Sequence, residues 1–357
     1  MGTDPGIKKT DLVDKVQSPL VGEGFEIDVF DVPAHEPTFT SVNNLAESLK
    51  DAGSDLLIGL GGGSVMDTTK IISALMNNPE YDCQELIEKG IKKDSLNQIL
   101  IPTTAGTGSE VSPYAIAIDE EEDVKYSVDS NLILPDIAIV DPLMSMTCPP
   151  KQTAASGMDA LAHGVECFLV SKHDPYTDAF ALQTIRLVSK YLRKAYYSGG
   201  DLKARYNMSM AATMGGLCMI LVPTNIGHTL SESLGPRYDI PHGVACGMIT
   251  PYQIEYNMPA CMERVSTLAS YLGKNVQGLS PKESAIKTVE AVIELLKDLE
   301  LPTSLKELNI SKEDLSNYIN IYLKLLNSRY SYLSNWNPRS TTEKNVSELL
   351  EKIWRGK

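Results

Sequence analysis

Apolar positions in the first 142 residues fall in short runs separated by helix-like stretches. "FEIDVFDV", "DLLIGLG", "NQILIPTT", "YAIAID" and "DIAIVDP" read as strands, and helices are expected near residues 41–52 and 64–76. Strands alternating with helical segments predict an α/β domain with a mostly parallel sheet, because parallel neighbours need a crossover between them. Past Asp141-Pro142 the texture turns helical. Ser280-Pro281-Lys282-Glu283 is a capping box with proline at the first helical position, and Ile286, Val289, Ile293, Leu296 and Leu299 then recur at helical spacing. Ser311-Lys312-Glu313-Asp314 opens another helix in the same way. The pattern predicts an α/β domain over residues 1–142 and an all-helical domain over 143–357, with no internal repeat and no low-complexity tract.

Composition narrows the function class. A length of 357 residues suits two domains. Lys and Arg total 32 against 46 Asp and Glu, a net charge of -14 that opposes binding to nucleic acid or to an anionic membrane and favours a small-molecule partner. No apolar run approaches the roughly 20 residues a bilayer span needs. The opening "MGTDPGIKKTDLVDK" has no signal-peptide core, so a cytoplasmic protein is expected. Cys83, Cys148, Cys167, Cys218, Cys246 and Cys261 are scattered with no CxxC, which predicts buried thiols and neither a disulfide framework nor a thiolate metal site.

Three polar, glycine-marked segments carry the candidate chemistry. In "IGLGGGSVMDTTK", residues 58–70, an apolar strand end meets three glycines and then a helix. Glycines at such a junction let backbone N–H groups approach an anion, and the helix N-terminus favours negative charge, so phosphate is the natural occupant. The run is neither a Walker A motif nor a G-x-G-x-x-G fingerprint, and a plain tight turn stays open as an alternative. Ser64, Asp67 and Lys70 follow at helical spacing and could reach the same ligand. "ILIPTTAGTGSEVSPYAI", residues 99–116, sets the hydroxyls of Thr103, Thr104, Thr107 and Ser109 beside Gly106 and Gly108, either to wrap a polar ligand or as a solvated loop of Ser/Thr turns. "GMDALAHG" places Asp159 and His163 one helical turn apart, and "GHTLSESLGPRYDIPHG" adds His228 and His242, with "GPRYDIP" as a break that turns the chain back. One carboxylate and three imidazoles make a first shell for Zn²⁺ or Fe²⁺ with room for a substrate oxygen, unless each histidine is separately satisfied. His35 and His173 sit in turn-like surroundings and are expected at the surface.

"GGGSVMDTTK", "PTTAGTGSEVSPYAI", "SGMDALAHGVE" and "HTLSESLGPRYDIPHGVA" together resemble the iron-containing (group III) alcohol dehydrogenases, in the same order and along nearly the whole chain. The resemblance implies a dehydroquinate-synthase-like fold: an N-terminal α/β dinucleotide-binding domain and an all-helical C-terminal domain that holds metal and substrate. It implies that Gly61, Gly62, Gly63 and Ser64 bind the NAD(P) pyrophosphate, with Asp67 and Lys70 lining the cofactor site, Thr103, Thr104 and Thr107 contacting the cofactor, and Lys125 near the ribose. Asp159, His163, His228 and His242 match the metal ligands, for Fe²⁺ or Zn²⁺. Asp4 matches an acidic residue that contacts the adenosine ribose, and a carboxylate there favours NAD over NADP by repelling a 2′-phosphate. The implied activity is hydride transfer between nicotinamide C4 and a small primary alcohol, diol or aldehyde, in a homodimer or larger homo-oligomer.

Three departures qualify the match. Glu232 stands where many relatives carry a second histidine, as a candidate proton relay, and Met219 and Leu221 replace common pocket residues. Relatives also carry a further stretch, including a core strand, before the Asp-Pro-Gly that starts here at Asp4. The expectation is a domain missing its first strand, with an exposed sheet edge and weakened cofactor affinity. A glycerol dehydrogenase-like or dehydroquinate synthase-like reaction on the same fold, and a catalytically silent subunit, are the alternatives. Turnover of simple aldehydes with NADH separates the first two from a dehydrogenase of simple alcohols, and the complete Asp-His-His-His set speaks against the third.

Overall fold

The computed structural model describes residues 1–33, 35–234, 238, 240–326 and 335–356. The chain divides into two compact units, Met1–Cys148 and Pro149–Lys357. The division falls slightly past the expected boundary at residue 142. Asp141 caps a 3₁₀ turn over Pro142–Ser145, its Oδ1 accepting from the Leu143 N–H at 2.8 Å, and Met144 packs into the core of the first unit. Pro149 and Pro150 then open a helix, where the fixed φ of proline suits the first position.

The first unit has strands β1 (Gly2–Thr3), β2 (Phe30–Asp31), β3 (Leu56–Gly61), β4 (Asn97–Pro102), β5 (Tyr114–Asp119), β6 (Val124–Asp129) and β7 (Ile137–Ala138). Five of them form a parallel sheet in the order β2-β1-β3-β4-β7. Helices α1 (Leu12–Gly22), α2 (Phe39–Leu49), α3 (Gly63–Asn77) and α4 (Cys83–Lys89) complete the unit. A covered sheet needs strands apolar on both faces. β3 meets that need: Ile58 and Leu60 join a cluster with Leu12 and Ile101, while Leu57 faces the opposite side with Ile71, Ile72 and Leu86.

Two expectations are corrected here. β1 is short but present, and it lies in the interior of the sheet, paired with β2 on one side and β3 on the other. Thr3 is buried and its Oγ1 donates to the Leu60 carbonyl at 2.8 Å, so the start of the chain leaves no exposed edge there. Because β1 offers only two residues to pair, "FEIDVFDV" contributes only Phe30 and Asp31 as a strand. Second, "YAIAID" does not join the parallel sheet. It pairs antiparallel with Val124–Asp129, a strand the pattern did not reveal, across a turn in which Asp119 Oδ1 accepts the N–H groups of Glu121 and Glu122 at 2.9 and 3.1 Å.

The second unit is helical throughout its described residues: α5 (Pro150–Leu169), α6 (Pro175–Tyr197), α7 (Leu202–Leu221), α8 (Ile226–Glu232), α9 (His242–Asn257), α10 (Met262–Tyr271), α11 (Pro281–Asp298), α12 (Leu315–Leu326) and α13 (Glu343–Arg355). The capping box at Ser280 and Glu283 forms as expected and starts α11. In "GPRYDIP", residues 235–237 and 239 lie outside the described residues, so the expected break is not placed. Every residue of α5 from Thr153 to Leu169 is buried, which makes it the central helix of the unit. No single helix among the described residues is long and apolar enough to cross a membrane.

Neighbouring helices come close to α5 because glycines face it. A Cβ on Gly243 in α9 would stand 2.1 Å from the Ala155 carbonyl oxygen, and one on Gly247 would stand 2.8 Å from the Met158 Cβ. The first obstruction is backbone and cannot rotate away. Gly243→Ala is therefore expected to destabilise the protein by about 1–3 kcal/mol or more, the cost of overpacking a core. Gly200→Ala, whose Cβ meets nothing within 4 Å, should stay within about 0.5 kcal/mol of the parent. Urea denaturation followed by far-UV circular dichroism compares the two.

Candidate active site

Helical spacing sets Asp159, His163 and Glu166 on one side of α5, while α8 carries His228 and α9 opens with His242. The structure brings the expected quartet together: the Nε2 atoms of His163, His228 and His242 lie 3.8, 3.8 and 3.5 Å from Asp159 Oδ1. The His163 and His228 rings stack with centroids 4.7 Å apart, and His242 meets His228 edge-on at 5.4 Å. Asp159 Oδ1 and His228 Nε2 are buried and neither has a hydrogen-bond partner among the described residues. Buried polar atoms are almost always paired, so two that point at one another across 3.8 Å call for a group between them. Two ligand atoms about 2.1 Å from one ion at a tetrahedral angle stand roughly 3.4 Å apart, so the donor set and its spacing fit a divalent metal.

The histidine tautomer is set from behind. His228 Nδ1 lies 2.7 Å from Glu166 Oε1, while Glu166 Oε2 accepts the backbone N–H groups of Asn225 at 2.7 Å and His228 at 3.2 Å. A proton held on Nδ1 leaves the Nε2 lone pair for a metal. Gly227 makes room for this arrangement, since a Cβ there would come within 2.4 Å of Glu166 Oε1. Burial alone would push the Asp159 carboxyl up, but the imidazoles of His163, His242 and His228 hold it well below the usual carboxylate range. Burial opposes protonation of His228, yet Cys246, Glu166 and Asp159 raise its pKa above the usual imidazole value.

Glu166 and Cys246 were not foreseen. Cys246 sits one turn after His242 on α9, and its Sγ belongs with Asp159, His228 and His242 to a group whose ligand atoms all lie within 4.8 Å of one another. In the sequence Cys246 groups with the other scattered thiols; the structure sets its thiol beside the quartet, and the His242-x-x-x-Cys246 spacing was the available signal. Glu232 ends α8 and is half-buried, outside that group. Near the end of α7, Met219 is half-buried and Leu221 is exposed, and His35 and His173 are exposed.

In the first unit, Gly61 ends β3, Gly62 caps α3, and Gly63 and Ser64 form its first turn. At Gly61 and Gly63 the need is steric rather than a left-handed backbone. A Cβ on Gly61 would lie 2.5 Å from Val65, and one on Gly63 would lie 2.6 Å from the Thr107 methyl. The loop after β4 thus folds closely over the start of α3, with the Thr103 N–H donating to the Gly61 carbonyl at 2.9 Å and Thr104 nearest to Gly62. Gly108, at φ +63°, takes the left-handed turn that brings Ser109 inward.

Asp67 and Lys70 brace this loop from within the unit. Asp67 accepts from Ser109 Oγ at 2.6 Å and from the Ile116 N–H at 3.0 Å, and Lys70 Nζ donates to the carbonyls of Ser112 and Tyr114 at 2.9 and 2.6 Å. These bonds give both residues a supporting part in the loop, on the helix that the glycine run opens. Lys125 is buried with Nζ 2.6 Å from Glu36. Asp4 follows β1, and its Oδ1 accepts the N–H groups of Gly6 and Ile7 at 2.7 and 3.1 Å, which orients the carboxylate at the end of a parallel strand.

A glycine-rich strand-to-helix junction on a parallel sheet, followed by a helical unit with one carboxylate and three converging imidazoles, defines a metal-dependent, dinucleotide-using class of oxidoreductase. Comparison with known proteins agrees. A family model described as iron-containing alcohol dehydrogenase matches residues 1–142, and one for the C-terminal part of the Fe-containing alcohol dehydrogenase family matches residues 153–354. The chain is 33% identical over 355 residues to the 1,3-propanediol dehydrogenase of Citrobacter freundii, covering 99% of this chain and 90% of that protein. It is 31% identical over 353 residues to the NAD-dependent methanol dehydrogenase of Bacillus methanolicus, covering 98% and 90%. The solved structure of an alcohol dehydrogenase from Oenococcus oeni superposes with a TM-score of 0.92 at 30% identity, covering 99% of this chain and 91% of that one. The chain belongs to the iron-containing alcohol dehydrogenase family.

Glu166→Gln replaces one acceptor oxygen with an amide donor behind His228. Metal affinity is expected to fall about 10–100-fold, measured by competition with a chromogenic chelator, with the helical content kept.

Burial pushes Lys70 down to about 8, against the pull of Asp67 and Glu110. Between that value and the unfolded value of about 10.4 the unfolded chain binds more protons, so the contribution of Lys70 to stability rises with pH. The stability difference between the parent and Lys70→Met should therefore grow from pH 8 to pH 10, read from urea midpoints of both proteins.

Proposed function

We propose that this protein is an NAD-dependent alcohol dehydrogenase and aldehyde reductase that uses a divalent metal and acts on a small primary alcohol, diol or aldehyde. The observation that carries this reading is the pair of buried atoms, Asp159 Oδ1 and His228 Nε2, that face each other without a hydrogen-bond partner beside His163 and His242. Asp159, His163, His228 and His242 hold the metal in this reading. When bound, the metal supplies Lewis-acid stabilisation to the substrate oxygen and the nicotinamide supplies or takes the hydride.

The chain's own residues perform the remaining tasks. Glu166 fixes the proton of His228 on Nδ1, so that no reorganisation of that ring is needed as charge develops. Gly61, Gly62, Gly63 and Ser64 cradle the pyrophosphate with backbone N–H groups at the start of α3, and Thr103, Thr104 and Thr107 add hydroxyls from the loop packed against it. Asp67 and Lys70 act by holding that loop in place. Asp4 accepts from the adenosine ribose and disfavours a 2′-phosphate, and Lys125, which is held by Glu36, serves the ribose in this reading. Glu232 is the candidate for relaying the alcohol proton, one turn after His228.

The test is NADH oxidation by metal-stripped protein re-supplied anaerobically with Fe²⁺ or Zn²⁺, with propanal and lactaldehyde among the aldehydes. Turnover should require metal, should be faster with NADH than with NADPH, and should fall at least about 10²-fold in His242→Ala. NADH binding without turnover under either metal would sink the dehydrogenase reading in favour of another reaction on this fold.

A further inference from the structure

We propose that Cys246 is itself a metal donor, so that this site adds sulfur to Asp159, His163, His228 and His242 and favours Zn²⁺ over Fe²⁺. The inference rests on the metal reading given above and deepens it by assigning a ligand and a metal preference.

The geometry places the sulfur among the donors. Cys246 Sγ lies 3.5 Å from His242 Nε2, and His242 Nε2 in turn lies 3.5 Å from Asp159 Oδ1. A sulfur about 2.3 Å and an imidazole nitrogen about 2.0–2.1 Å from one ion, set at a tetrahedral angle, stand roughly 3.6 Å apart. The observed spacing therefore matches two ligands of a common ion. The orphaned lone pairs of Asp159 Oδ1 and His228 Nε2 belong to the same group of four.

Local structure supports the assignment. His242 and Cys246 are one helical turn apart on α9, so their side chains share a face, and the approach of α9 to α5 at Gly243 sets that face beside Asp159. Cys246 is buried, and its thiol donates to Ser231 Oγ at 3.1 Å. The thiolate is the ligating form, so metal binding sends the thiol proton to solvent as the metal–sulfur bond forms, while the Ser231 hydroxyl goes on donating to the His228 carbonyl at 2.9 Å. Thiolate donors favour zinc, whereas at sites built only of nitrogen and oxygen metal availability weighs more.

Cobalt reports the ligand directly. Protein stripped of metal and reduced is titrated anaerobically with Co²⁺ while its absorption is recorded. Sulfur-to-cobalt charge transfer gives a near-ultraviolet band, and cobalt bound at any low-symmetry site gives weaker visible bands. The wild-type protein is expected to show both, saturating together. Cys246→Ser and Cys246→Ala should keep the visible bands and lose the charge-transfer band, whereas His163→Ala should keep it. In chelator competition the two Cys246 variants should lose Zn²⁺ affinity by more than the roughly 10–100-fold that removal of an outer-shell partner costs, with a smaller loss for Fe²⁺. Visible bands without charge transfer in the wild type would overturn the cysteine assignment and leave the metal site standing. A charge-transfer band surviving in both Cys246 variants would assign the sulfur to another cysteine and overturn the proposal. Absence of both features would overturn the metal reading and the cysteine with it.

Discussion

The approach of α9 to α5 at Gly243 is the constraint on which the metal-site geometry depends. Position 243 faces the Ala155 carbonyl with no space for a Cβ. That contact sets the height and rotation of α9 against the central helix, and hence where His242 and Cys246 stand relative to Asp159. The same device recurs at Gly227, which leaves space for the Glu166 carboxylate that holds His228. In the first unit Gly61 and Gly63 let the start of α3 and the loop after β4 close on each other. In both units the candidate chemistry sits where side chains are absent so that backbone segments can meet.

Much of this was legible in the chain because the signals were local or strongly periodic. The strand and helix on either side of "GGGS" and the capping box at Ser280 follow from short-range patterning, and both formed as read. The approach of Asp159, His163, His228 and His242 was also anticipated, from the i, i+4 spacing on one helix and the scarcity of histidine elsewhere, although their roles rest on resemblance.

What escaped reading depended on contacts distant in sequence. β6 is an ordinary alternating segment whose partner is decided by the hairpin turn, and nothing in the alternation of "YAIAID" distinguishes a hairpin from a crossover. Two-residue β1 is too short to carry a pattern, and its place between β2 and β3 is a property of the sheet. Glu166 reads as one more polar residue on a helix until His228, 62 residues on, is seen to lie 2.7 Å from it. The part Asp67 and Lys70 play in bracing the loop was not legible either, because their partners lie in the 109–116 segment, more than 40 residues away. Cys246 was grouped with the other scattered thiols because spacing rules look for cysteine with cysteine.

The converging lone pairs around Asp159 carry a consequence for the life of the protein in the cell. An ion that binds the folded helical unit and not the unfolded chain stabilises the fold by mass action. At a free metal concentration one hundred times Kd, such an ion adds about 2.7 kcal/mol to the stability of the fold. That is a large fraction of what a domain possesses. Starvation for metal then does more than idle the catalyst. Without the ion the fold loses that increment, and the open, protease-sensitive population is expected to grow in proportion.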